Sequence, residues 1–198
     1  RKHCPDINSK DYTSVIDDRS FQRLMATLED AQGKGATVVN LSGDQQPNPE
    51  LRKIPMHIVA DTTEEMTIRQ RETFGPLLML LTYRDPQEVI DHVNAHDRPL
   101  AFYPFSNNRE LVDRYIERIM SGGVTVNDAL FHVAQHDMPF GGVGPSGMGH
   151  YHGYEGFVTF SKLRPVFYQP GFSALQFLRP PYGRFADKVY NLLVRMKS

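Results

Sequence analysis

The sequence contains one cysteine and no tryptophan. A single thiol, Cys4, excludes an intramolecular disulfide, which agrees with a reducing compartment and an expected cytoplasmic location. No apolar run approaches the roughly 20 residues that a membrane-spanning helix needs, and no signal peptide is visible. Excess charge is also missing. The formal balance is −1 with no cluster of lysine or arginine, so nothing here attracts nucleic acid. Internal repeats and low-complexity segments are not apparent either. What is present is ordinary for a soluble globular protein, 40% hydrophobic and 23% charged residues over 198 positions. That length allows one large or two small domains with a real core.

Helices and strands alternate along most of the chain. Asp17 or Asp18 can cap a helix to about Gln32, whose Phe21, Leu24, Met25, Leu28 and Ala31 fall on one face. Gly33 and Gly35 end it, and residues 36–41 read as a strand. Residues 42–52 are polar and turn-rich, a surface loop. Residues 54–59 and 77–83 are further strands. The second is almost continuously apolar, the pattern of a strand covered on both faces. Asp85, Pro86 and Glu88 supply a cap, a proline at the first helical position and a capping box for a helix to about Ala95. Residues 100–105 form a strand whose Pro104 argues for an edge or a bulge.

Leu111, Val112, Tyr115, Ile116, Ile119 and Met120 stripe the next helix, stopped by Gly122-Gly123 before a short strand at 124–126. This alternation implies right-handed crossovers and an α/β fold, a mainly parallel sheet flanked by helices. The pattern then changes. Residues 157–160 and 165–168 are strand-like, and residues 171–184 are a linker. A last helix carries Phe185, Val189, Leu192, Leu193 and Met196 on one face, with Lys188, Arg195 and Lys197 on or near the other. Such a face could touch a membrane surface, but the preferred reading packs it within an oligomer.

The stretch Pro139-Phe-Gly-Gly-Val-Gly-Pro-Ser-Gly-Met-Gly149 contains a formal G-x-G-x-x-G match from Gly142 to Gly147. A phosphate cradle of that type follows a strand and opens a helix. Here the preceding residues 134–138 are polar and irregular, and Pro145 removes an N–H from the would-be cradle. The match is therefore set aside.

Three segments taken together, Glu72-Thr-Phe-Gly-Pro76, Gly123-Val-Thr-Val-Asn127 and Pro139-Phe-Gly-Gly142, resemble the C-terminal half of an aldehyde dehydrogenase. The resemblance runs over residues 11–169. Ser106-Asn-Asn-Arg109, Ser146-Gly-Met-Gly149, Tyr151-His-Gly153 and Phe160-Ser161 are similar to the class 3, fatty-aldehyde and coniferyl-aldehyde branch. Several motifs in the family's order are more specific than any one glycine pattern. The resemblance divides the chain into a partial catalytic α/β domain at 1–155, an oligomerisation β arm at 156–169, and a linker with an amphipathic helix at 170–198.

The activity this resemblance implies is NAD(P)-dependent oxidation of an aromatic or long-chain aldehyde, coniferyl aldehyde among the candidates, to a carboxylate. The nucleophilic cysteine, the general-base glutamate and the Rossmann-type domain would all lie N-terminal to these residues. No catalytic residue is therefore assigned here. Cys4, in Arg1-Lys-His-Cys-Pro5, does not resemble the nucleophile loop and reads as an incidental thiol. The chain by itself is expected to be an inactive part of an enzyme that binds no cofactor tightly.

Positioning groups remain. On the family pattern Glu72 accepts hydrogen bonds from the nicotinamide ribose hydroxyls, a task that suits a carboxylate's two oxygens, and Phe74 packs near the nicotinamide ring. Arg23 falls near a position where a basic residue can approach the cofactor; it also reads as an ordinary exposed helical arginine, the reading preferred here. Asn127 would orient the segment leading into the substrate tunnel, and Phe131, His132 and Phe140 would line that tunnel. Residues 128–139 would be the variable substrate loop. His132 and His136 stand four apart, but no third ligand is evident and no helix is expected there, so no metal is expected. The β arm implies a homodimer or a larger assembly. The alternative from another class is a non-enzymatic α/β interaction or assembly domain.

Overall fold

In the computed structural model, which describes residues 6–173, 175, 178–180 and 182–196, Asp17 caps the first helix through its side chain. Its carboxylate accepts the Ser20 N–H at 2.6 Å, satisfying one of the donors that a helix start leaves open. Helix α1 (Asp18–Gly33) buries Phe21, Leu24, Leu28 and Ala31. The chain then turns through Gly35 at φ +90° into β1 (Thr37–Asn40). Cys4 and Lys197 lie outside the described residues. The chain divides into two compact units, Arg1–His92 and Val93–Ser198, each with its own strands.

In the first unit, β1, β2 (His57–Ala60) and β3 (Leu77–Met79) form one sheet in that order. β2 pairs parallel with β3, while β1 runs antiparallel to β2 with Val39 opposite Ile58. α1 and the short α2 (Thr67–Gln70) supply the cover. Phe21, Leu24, Leu28, Ala31, Ile54, Val59, Met66, Ile68 and Leu77 make one continuous core. The expectation that residues 77–83 form a long strand covered on both faces is corrected. Only Leu77–Met79 is strand, with Leu77 4% exposed and its neighbour Leu78 57% exposed. Successive strand side chains point to opposite faces, and within this unit only the α1 face is covered. Helix α3 (Pro86–Asn94) begins where Asp85 and Pro86 place it. The Asp85 carboxylate accepts the Gln87 N–H at 2.7 Å.

In the second unit, β4 (Ala101–Phe102) pairs parallel with β5 (Gly123–Val124). The pairing continues irregularly, with Thr125 N–H donating to Phe102 O at 3.2 Å and Asn127 N–H to Pro104 O at 2.9 Å. Pro104 can take part only as an acceptor, which suits this short, frayed ladder. Between the strands lies α4 (Arg109–Arg118), capped by Asn108, whose side chain accepts the Leu111 N–H at 3.1 Å. Val112, Tyr115 and Ile119 are buried, whereas Ile116 and Met120, part of the same sequence stripe, are exposed. Both units are thus α/β, as expected, with parallel pairing in each.

Two further corrections concern local structure. Residues 131–134, expected to be irregular, form a single helical turn, α5 (Phe131–Ala134). Residues 157–160, expected as a strand, belong to α6 (Gly153–Thr159) and its cap. The alternation of Phe, Val, Thr and Phe fits a strand, but Tyr154, Phe157 and Phe160 are also spaced by three, which places them as helical neighbours. Hydroxyls complete the turns: Thr159 Oγ1 donates to Glu155 O at 2.8 Å and Ser161 Oγ to Phe157 O at 2.6 Å. Residues 162–169, the second half of the expected β arm, adopt no regular element. The terminal helix forms as α7 (Arg184–Arg195), burying Ala186 and leaving Phe185, Leu192 and Leu193 exposed. Among the described residues no helix is long and apolar enough to cross a membrane.

Candidate functional site

Glu72 and Phe74 stand together on the loop at 71–76, which joins α2 to β3 in the first unit. Arg71, at the end of α2, is already extended at φ −149°. Phe74 adopts φ +47°, the left-handed region that a bulky side chain rarely enters. Its ring is 78% exposed, and the Glu72 carboxylate is exposed beside it. The loop is tied down on both sides of that strained residue. Arg23 Nη2 donates to Thr73 O at 2.7 Å, and His57 N–H donates to Pro76 O at 2.8 Å. Gly75 lies so close to α1 that a Cβ there would collide with both Leu24 methyls.

The loop forms one wall of a cleft of about 810 Å³. Tyr12, Val15, Ile16, Ile54 and Met56 give it apolar walls, with Arg23, Arg71 and Glu72 as charged groups. The opposite wall is also fixed, since Tyr12 Oη donates to Ile54 O at 2.7 Å and Val15 N–H to Arg52 O at 2.8 Å. Arg23 is half-buried and hydrogen-bonded to the loop, not the ordinary exposed helical arginine preferred from sequence. Sequence reasoning missed that bond because a main-chain carbonyl fifty residues away leaves no trace in residue types. At the start of β2, His57 is buried and its Nδ1 has no partner. Burial holds the imidazole pKa below its usual value.

The second unit divides the other expected site residues between two places. Asn127, at φ +57°, closes on the turn before α4: its Oδ1 accepts Ser106 N–H at 2.8 Å and its Nδ2 donates to Ser106 O at 3.1 Å. It is a clamp between the end of the β5 segment and the 106 turn. His132 is 5% exposed, with Nδ1 2.8 Å from Thr125 Oγ1 and Nε2 without a partner. Its ring covers Gly123, where a Cβ would approach Nε2 to 2.8 Å. Phe140 joins it, ring centroids 5.6 Å apart, and Tyr103 touches its other side at 5.9 Å. Phe131 is exposed and takes no part in these ring contacts.

From Phe140 the ring contacts continue through Tyr151, His152 and His136 at 5.2, 4.4 and 5.0 Å. That continuation was not anticipated, although Tyr151-His152 was visible in the sequence as part of the family motif. Among the described residues no three His, Cys, Asp or Glu side chains cluster as metal ligands would.

The glycine-rich stretch serves close packing of backbone on backbone. A Cβ on Gly122, Gly141 or Gly142 would collide with the carbonyl oxygens of Gly141, Gly149 or Ser146 respectively. Ser146 closes the turn, its Oγ accepting Val143 N–H at 2.9 Å. No regular helix begins in residues 139–149, so the segment has none of the strand-to-helix geometry of a phosphate cradle.

These features meet a known family. The sequence profile of the aldehyde dehydrogenase family matches residues 4–166. A protein named as a probable coniferyl aldehyde dehydrogenase in Pseudomonas aeruginosa is 46% identical over 189 residues, covering 95% of this chain and 39% of that protein. A cattle protein named as a dimeric NADP-preferring aldehyde dehydrogenase is 39% identical over 82% of this chain and 64% of its own length. In solved structures, AldH of Staphylococcus aureus in a substrate-bound state superposes with a TM-score of 0.73 at 32% identity, over 93% of this chain and 39% of that one. The chain thus spans about 39% of the length of the coniferyl aldehyde dehydrogenase relative. On the strength of the profile match over most of its residues, this chain belongs to the aldehyde dehydrogenase family.

Proposed function

We propose that this chain is the C-terminal part of an NAD(P)-dependent aldehyde dehydrogenase that oxidises aromatic or long-chain aldehydes, coniferyl aldehyde among them, to carboxylates. The observation that carries the reading is the 71–76 loop, which holds a carboxylate and an aromatic ring at the edge of one apolar cleft. A nicotinamide nucleoside needs an apolar surface for its ring and an acceptor for two ribose hydroxyls, and these residues fit both needs. When bound, NAD(P) supplies the hydride acceptor. Glu72 holds the ribose by accepting its hydroxyl hydrogens, and Phe74 limits the swing of the ring. In the second unit, Phe140 offers aromatic surface to the aldehyde, with His132 packed against it. Asn127 fixes the turn that begins at Ser106. Phe131, exposed on the 128–139 segment, contributes to the same substrate wall in this reading.

The 198 residues alone carry out no turnover in this proposal, because the nucleophile and base would lie in a more N-terminal segment. An assay of the isolated chain with NAD(P) and coniferyl aldehyde is expected to stay at background. Turnover abolished by Cys4→Ala would reverse that. In the intact enzyme, Glu72→Gln keeps shape and removes charge, and is expected to weaken cofactor binding and slow hydride transfer by about 1–3 kcal/mol in a folded protein. Unchanged affinity together with an unchanged rate would reduce Glu72 to a surface residue.

A second reading, an assembly module, draws on the bare aromatic surface of residues 154–168, where Phe157, Phe160, Phe167 and Tyr168 are all exposed. We place the enzyme in the cytoplasm as a homodimer or larger assembly, with the stretch at 162–169, which forms no regular element of its own, offered to another subunit. Light scattering after size exclusion tests this. A stable 22.6 kDa species for the chain at micromolar concentration would contradict it.

A further inference from the structure

We propose that Arg23 is a positioning residue that sets the cofactor cleft by holding the peptide plane between Thr73 and Phe74. The inference rests on the reading of Glu72 and Phe74 given above. Consecutive α1 residues reach successive parts of the loop: Arg23 hydrogen-bonds Thr73 O, and Leu24 packs under Gly75. Phe74, between these two contacts, is the residue in the left-handed region. A peptide unit is planar, so its carbonyl and the following N–H turn as one body. The inexpensive route by which Phe74 returns to an ordinary φ is a flip of that plane, changing Thr73 ψ and Phe74 φ in opposite senses. Such a flip carries Thr73 O away from Arg23 and breaks a charge-assisted bond.

The position of the guanidinium agrees with this task. Arg23 lines the same cleft as Glu72 and Phe74, yet one of its donors is committed to the main chain. Among the described residues no carboxylate forms an ion pair with it. Strained backbone of this kind persists only where its surroundings over-determine it, and here the surroundings are two adjacent side chains of one helix.

The test is a double-mutant cycle in the full-length dehydrogenase, with Arg23→Met, Glu72→Gln and both together, and Arg23→Lys as the conservative variant. Cofactor Kd is read from NADH fluorescence, kcat and the two KM values from steady-state assays, and folding from circular dichroism. Arg23→Met is expected to raise the NADH Kd about tenfold while leaving the aldehyde KM unchanged, the loss of one charge-assisted bond. Arg23→Lys should recover most of that loss, and the effect of Arg23→Met should shrink in the Glu72→Gln background to the part that acts through Phe74.

Gly75→Ala, which breaks the other anchor, should reproduce the rise in NADH Kd; it provides the readout if Arg23→Met does not fold. Effects of Arg23→Met and Glu72→Gln that multiply independently would overturn the proposal, since Arg23 would then be acting without the loop. An impaired Glu72→Gln beside an unimpaired Arg23→Met would overturn it alone. A Glu72→Gln variant with normal cofactor affinity and rate would instead remove the functional reading beneath it, and this inference with it.

Discussion

The two units hold themselves together by different means. The first unit, Arg1–His92, owns a continuous hydrophobic core in which α1 lies across a three-stranded sheet. In the second, Val93–Ser198, the buried apolar side chains among the described residues are few, chiefly Val112, Tyr115, Ile119 and Ala186, while Phe160 and Phe167 are more than four-fifths exposed. Its order comes from geometry instead: glycines laid against carbonyls, Asn127 clamped on Ser106, and His132 fitted over Gly123. Burial is non-directional and tolerates imprecision; such close backbone contacts do not. The first unit should therefore be sensitive to removed volume and the second to added volume.

The largest expected effect is Leu24→Ala, which empties the centre of the first unit's core and should cost about 3–5 kcal/mol. Hydrogen exchange should then rise across α1 and β1–β3. Protection lost evenly over both units would show that they share one core and break the distinction. Gly122→Ala comes next, with at least the roughly 1–3 kcal/mol of ordinary overpacking, because the atoms it meets are backbone and cannot step aside. Its exchange increase should centre on residues 100–126. An unchanged urea midpoint for this variant would mean that the second unit is looser than its geometry implies.

A smaller effect concerns pH and belongs to the first unit alone. His57 is held neutral by burial, with its folded pKa below the unfolded value of about 6.5. The unfolded chain therefore takes up the proton first as acid is added. Stability is fully present above that pH and declines as pH falls through the window towards the folded pKa. His57→Leu should flatten the urea midpoint between pH 7 and 5, and an equally steep profile in the variant would assign the acid sensitivity to other groups. The smallest effect is expected from Phe167→Ser, no more than about 0.5 kcal/mol in a monomer, since the ring is already in water. A larger, concentration-dependent loss of stability would show that a second copy covers this surface and would move Phe167 from the exposed class to the buried one.

The helices were the most legible part of the sequence, because a cap and an apolar stripe reinforce each other. Asp17 with Phe21, Leu24 and Leu28 places α1, Asp85 with Pro86 and Glu88 places the start of α3, and the stripe through Val112 and Tyr115 alone places α4. α6 was not legible as a helix, since Phe157, Val158, Thr159 and Phe160 satisfy a strand's alternation, and the hydroxyl bonds that complete the turns depend on the three-dimensional outcome. Residues 77–83 read correctly as apolar but said nothing of how many faces this chain itself covers. In the candidate site, Glu72 and Phe74 could be placed together because they are neighbours in one motif. His132 was legible as a site residue by position only; that its ring turns inward over Gly123 follows from the missing side chain there. The role of Asn127 was hidden for the same reason as that of Arg23, because its partners are the N–H and carbonyl of Ser106 and not a side chain.

Gly75 has a mechanical consequence. With no side chain between them, the loop backbone rests on Leu24, and Leu24 is fully buried among the α1 and sheet residues. A load applied to the Phe74 ring passes through that contact into the interior of the unit, where close packing makes the compliance low. The loop then behaves as a short beam fixed at both ends, by Thr73 O and Pro76 O. At its middle the Phe74 ring keeps rotation about its own side-chain bonds as its main remaining freedom.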